Sequence, residues 1–540
     1  MVHMGEGEEL WNKYCSFFDK PFSEQVEHNE ALLKEHFEKW KQTKTAKQLC
    51  PKGVKKLEDV PVTTYNDYPI LQEFGAKVQQ LSETIPQMKG ELLWDYYVRI
   101  SGQAAKILDG WLPDEYSFCL KTSGASGESK WFAYDKTYWE RAVRTGFQIA
   151  ILACSDEWGT TKIRRGDKFL NLAAPPPYGS SVGTRTFETF LKASPPTHVV
   201  EKITDMRKKM SLVYKTIERG EKIDFAFGPA SVLSMVSKYF TEPDKLYKDR
   251  YQSMRPGMVK LILFLKYLQA KMSGKKNKTV SEVVPAKGLV CTAWDGTIYR
   301  EYLRDQFNIE PFNMYAASDT HIPFMGRPHR KWDFFPNLET VYLEFLADDN
   351  EINKINELKK NQTYELVVTT FGSMTVRLRI GDLFRVTDFE DDGTPILRFE
   401  SRTADMIDIY GYFRLSETMM REALNNVGLT ATDDWAVTQE LLPKERVCIL
   451  MEKRWDYPEN QAARLIFESL RKINPEFESY IKDYKIKDPL EVLEVKYLRK
   501  GAFMRYTMKK AKEGVPFGQI KPPKIIGPEK RELVNLLESV

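Results

Sequence analysis

Lys121 to Lys130 read KTSGASGESK, a stretch in which Gly124 and Gly127 alternate with the hydroxyls of Thr122, Ser123 and Ser126. A backbone bare of side chains at its glycines approaches a polyphosphate closely. Its N–H groups and those hydroxyls can then donate to phosphate oxygens, and Lys130 adds a positive charge. The spacing differs from the Walker loop, which has a longer interval between its glycines, Lys directly after the second and a helix following. Taken alone, such a loop is more often a surface turn. A second pattern, GSSVG from Gly179 to Gly183, formally matches the serine-hydrolase nucleophile elbow with Ser181 as nucleophile. That elbow needs a strand running straight into the turn. Pro175, Pro176 and Pro177 stand where the strand would be, so the match is read as chance. The other candidates are single charged residues with ordinary alternatives. Asp319 and Asp382 could end turns, Arg402 could be a surface ion-pair partner, and Lys521 lies in a basic tail where a solvated lysine is the default.

The elements around these residues decide between the readings. The 540-residue chain is 42% hydrophobic and 29% charged, ample for a large core and contrary to disorder. At ~150 residues per domain, the length allows about three domains, or one large domain with a smaller partner. Lys plus Arg number 80 and Asp plus Glu 76, and a net charge of +4 argues against nucleic-acid binding through bulk charge. Six scattered cysteines without a CxxC pair argue against a disulfide framework or zinc knuckle, so a reducing cytoplasm is the expected location. The N-terminus lacks a basic region followed by an apolar core. The most apolar run, MVKLILFLKYLQA around Leu261, is broken by Lys260 and Lys266 and falls short of the ~20 residues of a membrane span. Neither a membrane nor a nucleic acid is therefore expected as a partner.

Apolar residues at helical spacing predict helices from about Leu10 to Lys47, broken at Pro21. Tyr116 to Ile151 reads as strand, glycine loop, strand and long helix. From about Lys168 to Leu346 short apolar runs alternate with helices, which predicts an α/β sheet region. Tyr364 to Thr403 holds several strands with a hairpin turn at Asp391, Asp392 and Gly393, and is expected to form a small β-barrel-like unit. From about Met406 strands mix with helices as a smaller α+β region.

With those elements in place, TSGASG resembles the phosphate-loop signature of adenylate-forming enzymes. Three further stretches follow in that superfamily's order: YAASD (Tyr315 to Asp319), RLRIGDLFRVT (Arg377 to Thr387) and SRTADMIDIYGYFRLSETMMREAL from Ser401. Together with VYLEFL and KGAFMRYTMKKAKEGVPFGQIKPPK, they most resemble the acyl-acid amido synthetases of the auxin-responsive Gretchen Hagen family, from about Trp11 to Ile526. The resemblance implies that a carboxylate attacks the α-phosphate of ATP to give an acyl-adenylate and pyrophosphate. Catalysis would rest mostly on positioning and charge neutralisation. It implies that Thr122, Ser123, Gly124, Ser126, Gly127 and Lys130 hold phosphates, with Ser123 and Ser126 closest to the chemistry. Tyr315, Ala316 and Ala317 would flank the adenosine, with Trp294 and Gly296 in the segment against adenine, and Ser318 would reach the α-phosphate. Asp319 would hold Mg²⁺, Asp382 would accept from the ribose hydroxyls, Arg402 would sit at the hinge and also bind the nucleotide at its ribose, and Lys521 would meet the reacting carboxylate and α-phosphate. Two departures stand out: Asp319 occupies a position where the family usually has Glu, and Asp408 one where the superfamily's hinge often has Lys.

By the same resemblance the acyl pocket falls at Tyr178, Phe225 and Phe227. In a strand the two phenylalanines, two apart, share a face; the alternative is that they are core. His321 and His329 follow YAASD, and one of them could deprotonate the incoming nucleophile. The expected organisation is an adenylation domain over about residues 1–401 and a mobile lid over 402–540. The expected function is an AMP-forming, ATP-dependent carboxylate ligase that passes the acyl group to an amino acid. The runner-up acceptor is coenzyme A, with an aromatic or hydrophobic acid as substrate, and a non-catalytic nucleotide-binding protein is the reading from another class.

Overall fold

The computed structural model describes residues 5–122, 130–172, 176–203, 206–244, 258–273, 279–292, 296–347, 350–402, 406–409, 413–429, 435–440, 446–453, 457–506, 524–527 and 531–539. The chain divides into two compact units. The first comprises the residues up to Thr122, Lys130–Thr241 and Lys276–Thr403; the second includes Glu242–Lys275 and Ala404–Val540.

In the first unit, helices α1 (Glu6–Tyr14) and α2 (Phe22–Trp40) meet at Pro21, where a residue without an N–H is tolerated just ahead of a helix. Both are anchored through polar atoms of buried residues. The Trp11 indole donates to Asp19, the Asn29 amide donates to the carbonyls of Leu338 and Val341, and the Trp40 indole donates to the Met374 carbonyl at 2.9 Å. Helices α3 (Lys44–Leu49), α4 (Pro69–Thr84) and α5 (Leu93–Ala104) lead to the hairpin of β1 (Tyr116–Lys121) and β2 (Trp131–Asp135). Phe74, Val78, Ile100 and Leu108 pack against that hairpin's Phe118, Leu120 and Phe132 in one buried cluster. Asp135 ends β2 and caps α6 (Lys136–Ala153), accepting from the Tyr138 N–H at 3.2 Å.

A twelve-stranded mixed sheet forms the rest of this unit. Its order is β11-β10-β12-β13-β14-β9-β8-β7-β6-β5-β3-β4. The strands are β3 (Lys168–Leu170), β4 (Lys192–Ser194), β5 (Phe225–Pro229), β6 (Gly288–Thr292), β7 (Phe312–Ala317), β8 (His321–Arg327), β9 (Arg330–Pro336), β10 (Val341–Leu346), β11 (Ile352–Lys354), β12 (Thr363–Thr370), β13 (Leu378–Phe389) and β14 (Pro395–Arg402). From β7 through β6, β5 and β3 to β4 the pairing is parallel, and from β7 to β11 it is antiparallel. Helix α7 (Gly179–Glu188) covers the parallel half: Phe187 meets both Phe225 and Phe227 at 5.2 Å between ring centroids.

The fold class is α/β, as expected, with one correction. The strands of the expected β-barrel-like unit do not close on themselves among the described residues. They continue the large sheet through the Leu397–Phe334 pairing of β14 with β9. The hairpin at Asp391–Gly393 is present: Glu390 N–H donates to Thr394 O at 2.9 Å, and Gly393 takes the left-handed φ of 87° that favours glycine.

The second unit has a hairpin of β15 (Met406–Ile409) and β16 (Phe413–Ser416). It also has a four-stranded sheet of order β19-β18-β17-β20, from β17 (Trp435–Glu440), β18 (Arg446–Glu452), β19 (Leu493–Leu498) and β20 (Ile525–Ile526). Cys448 and Leu450 pack there against Phe503, Val534 and Leu537. All six cysteines are free thiols.

Candidate active site

The ladder between β1 and β2 runs to the mouth of the glycine loop. Thr122 N–H donates to Lys130 O at 2.7 Å, and the Thr122 hydroxyl accepts from the Lys130 N–H at 3.1 Å. The Lys130 ammonium lies over the Tyr65 ring, 5.4 Å from its centroid. The loop is thus clamped at its base. Ser123, Gly124, Ser126 and Gly127 lie outside the described residues, as do Trp294 and Lys521. Arg402 pairs with Asp382 through the backbone of β14 and β13.

Next to the loop base, Lys121 N–H donates to Pro177 O at 3.0 Å, and Lys121 bridges to Tyr178. This fixes the entry to α7, whose first turn leaves N–H groups outside the intrahelical ladder and creates a positive helix end. The half-buried Tyr178 is the residue before that helix. A Cβ on Gly179 would sit 3.3 Å from Ser318 Oγ, so the helix start lies against the turn after β7.

That turn is held from two sides. The Tyr134 hydroxyl of β2 donates to the Ser318 carbonyl, and the Thr370 hydroxyl of β12 donates to the Asp319 carbonyl at 3.1 Å. Ala316 is exposed, while Ala317, Ser318 and Asp319 are half-buried. The Asp319 carboxylate faces Tyr134 and Tyr138; burial first, and its negative charge second for Tyr138, push these phenols up. The half-buried Tyr315 donates its hydroxyl to Asp382 Oδ2, and its ring meets Phe384 edge-on at 4.9 Å. Asp382 is 3% exposed and follows Gly381, whose φ of 83° turns the strand. A carboxylate offers about four acceptor positions. Tyr315 takes one of them.

The structure thereby gathers four sequence segments: the base of the glycine loop, the start of α7, Tyr315–Asp319 and Asp382. Gly296 begins a helix that ends at Phe307. Phe225 is fully buried and Phe227 is 6% exposed. They share a face, as period two requires, and both sit in the core beneath α7, where a Cβ on Gly183 would lie 3.4 Å from the Phe227 ring. Ser181 is buried in the first turn of α7, and its hydroxyl donates to Tyr178 O at 2.6 Å. β3 ends at Leu170 and α7 begins at Gly179, so among the described residues no strand runs directly into the turn of Ser181. His321 is buried edge-on against Tyr138 at 4.8 Å, and burial pushes it down to about 3, so it is neutral at physiological pH. His329 lies on the β8–β9 turn, accepting from the Trp158 indole at 3.0 Å. Tyr134, Tyr138 and Thr370 carry no signal in the sequence, since each is one apolar or small residue in a strand or helix.

Residues 334–402, from the end of β9 through β14, match the model of the GH3 family central domain. The matched segment is 69 of the chain's 540 residues. That domain holds Asp382 and the backbone partner Arg402. No curated protein matches this chain. Among solved structures, 2-hydroxyisobutyryl-CoA ligase in complex with 2-HIB-AMP and CoA is 14% identical, covers 95% of this chain and 93% of its own, and superposes with a TM-score of 0.52. That likeness shows a shared fold. The AtGH3.15 acyl acid amido synthetase in complex with 2,4-DB is 16% identical over 95% of this chain and 93% of its own, with a TM-score of 0.47. The amide bond synthetase McbA from Marinactinospora thermotolerans is 14% identical over 71% of this chain and 66% of its own, with a TM-score of 0.39.

Proposed function

We propose that this chain is an AMP-forming ligase. It activates a carboxylic acid with ATP and passes the acyl group to the amine of an amino acid. In the first step the acid's carboxylate oxygen bonds to the α-phosphorus and pyrophosphate leaves. In the second, the amine nitrogen bonds to the acyl carbon, AMP leaves, and the amine's proton is released. The observation that carries this reading is the Tyr315–Asp382 hydrogen bond, joining the second nucleotide motif to the third beside the Ser318 turn and the positive start of α7. A fixed carboxylate beside an aromatic ring suits a nucleoside, and a helix start beside a hydroxyl suits its phosphates.

In this reading Tyr315, Ala316 and Ala317 flank the adenosine, Asp382 accepts from the ribose, and Ser318 with Thr122, Ser123, Ser126 and Lys130 meets the phosphates. Lys521 neutralises charge as the acyl–phosphate bond forms. Mg²⁺ is bound by one or two carboxylates plus substrate phosphates rather than by a protein cage. The single half-buried carboxylate of Asp319 beside the Ser318 turn fits that demand, and no cluster of three His, Cys, Asp or Glu exists among the described residues. The ion would neutralise phosphate charge there. Tyr178 lines the acyl side, and residues 402–540 form a lid whose closure excludes water from the adenylate. The place of action is the cytoplasm.

Incubating the protein with ATP, a panel of acids, and either amino acids or coenzyme A, with products read by mass, tests the reading. Amide and AMP in equal amounts support it. Thioester in place of amide moves it to the runner-up, and no product with any acid or acceptor removes it.

A further inference from the structure

Among the described residues ten large apolar side chains are exposed, and five of them lie on one helix, Met258–Ser273. None of that helix's described side chains is buried. Leu261, Ile262, Leu265 and Met272 are 56%, 47%, 54% and 84% exposed. At 3.6 residues per turn, Leu261, Leu265 and Met272 fall within about 40° of one another and Ile262 adds a neighbouring row, giving a strip about 100° wide. Exposed Lys266 lies on one side of the strip and exposed Lys271 on the other.

The sequence around the helix is as unusual as its exposure. From Lys245 to Lys278 there are ten Lys and Arg against one Asp, a net charge of +9 in a chain whose total is +4. The rest of the protein is therefore net negative. An exposed aliphatic strip flanked by exposed Lys266 and Lys271, within a basic stretch of sequence, matches a layer that is anionic at its surface and apolar just beneath. Sixteen residues of helix reach about 24 Å, short of the ~30 Å hydrocarbon core, so the helix suits the interface plane and not a span. Lysines flanking an apolar strip keep their ammonium groups at the headgroups while their stems lie along the strip. A nucleic acid would satisfy the charge but leave four aliphatic side chains in water. A second copy of the chain would cover the strip but bring the same flanking lysines, Lys266 and Lys271, against each other.

We propose that helix Met258–Ser273 docks the protein on an anionic phospholipid bilayer, lying in the headgroup plane with Leu261, Leu265 and Met272 facing the acyl region. The expectation of no membrane partner rested on the absence of a spanning segment, and a surface-lying helix needs none. The proposal is independent of the catalytic reading.

The test is co-sedimentation of the full chain with vesicles of phosphatidylserine and phosphatidylcholine, against vesicles of phosphatidylcholine alone, at low and high salt. Two variants accompany the wild type: Leu261→Ser/Leu265→Ser/Met272→Ser, and Lys266→Glu/Lys271→Glu. All these residues are exposed, so the variants should keep the wild-type urea midpoint. The wild type should sediment with anionic vesicles only, and high salt should release it. Each variant should bind at least about tenfold more weakly. Three outcomes overturn the proposal. The wild type fails to bind anionic vesicles; the variants bind as the wild type does; or the wild type forms a dimer that the serine variant dissolves, which would assign the strip to a second copy. RNA binding lost in the glutamate variant but untouched in the serine variant would likewise overturn it in favour of a nucleic acid.

Discussion

Replacing Tyr315 with Phe removes one hydroxyl and leaves the ring in place against Phe384. The hydroxyl is the donor to Asp382 Oδ2, and Asp382 is 3% exposed. A hydrogen bond to a charged group contributes about 1.5–3 kcal/mol net, and a buried acceptor left without its donor incurs a desolvation cost of similar size. If Asp382 receives the ribose, a carboxylate no longer held by Tyr315 must be re-fixed on each binding event. ATP affinity should then fall roughly ten- to a hundredfold. Calorimetric titration with ATP reads this directly and needs no knowledge of the acid. Asp382→Asn should lose a similar amount, and the double variant should lose clearly less than the sum, with a coupling energy of about 0.5–3 kcal/mol. ATP bound by Tyr315→Phe within about twofold of wild type would refute the reasoning. So would additivity within about 0.5 kcal/mol, since the two residues would then act independently.

Other perturbations give separate checks. Tyr134→Phe withdraws the donor to the Ser318 carbonyl and should cost about 1–3 kcal/mol in urea unfolding while lowering turnover more than it weakens ATP binding. Gly372→Ala should cost roughly 1–3 kcal/mol from its φ of 82° alone, and more because the new Cβ would stand 2.4 Å from the Tyr138 nitrogen; a thermal melt within a degree or so of wild type would contradict the close packing there. The buried His36 and His321, both held down to about 3 by burial, stay neutral when folded but take up a proton when unfolded below about pH 6.5. Each therefore removes about 1.4 kcal/mol of stability per pH unit as pH falls from 6.5 toward 4. Asp135, pushed up to about 6 by burial, acts with the opposite sign, gaining stability as pH falls from 6 to 4. His321→Asn, which tolerates the φ of 62°, should make the loss on acidification shallower by about 1.4 kcal/mol per pH unit in urea titrations at several pH values.

Local patterns were legible where local physics decides. Pro21 separates α1 from α2, the Asp391–Gly393 turn closes β13 on β14, and the two-residue spacing of Phe225 and Phe227 puts both on Phe187. What those phenylalanines face was not legible, because it depends on where α7 lands. The continuity of the sheet through Leu397 and Phe334 was hidden for the same reason: strands read one at a time carry no record of their neighbours. Around the site, motif order indicated Tyr315 and Asp382, but not that they touch. Tyr134 and Thr370 hold the Ser318 turn from distant strands and look like ordinary strand residues. His321 sits at a positive φ, where Gly or Asn would have announced a turn.

The central claim is that this chain makes an acyl-adenylate. Exchange of labelled pyrophosphate into ATP, measured acid by acid with no acceptor present, tests that step by itself. The account predicts exchange that appears with at least one carboxylic acid, vanishes without acid, and falls in Tyr315→Phe in proportion to its weakened ATP binding. ATP binding with no acid-dependent exchange across a broad panel of aromatic, aliphatic and hydroxy acids would contradict it and leave a nucleotide-binding protein without adenylating chemistry.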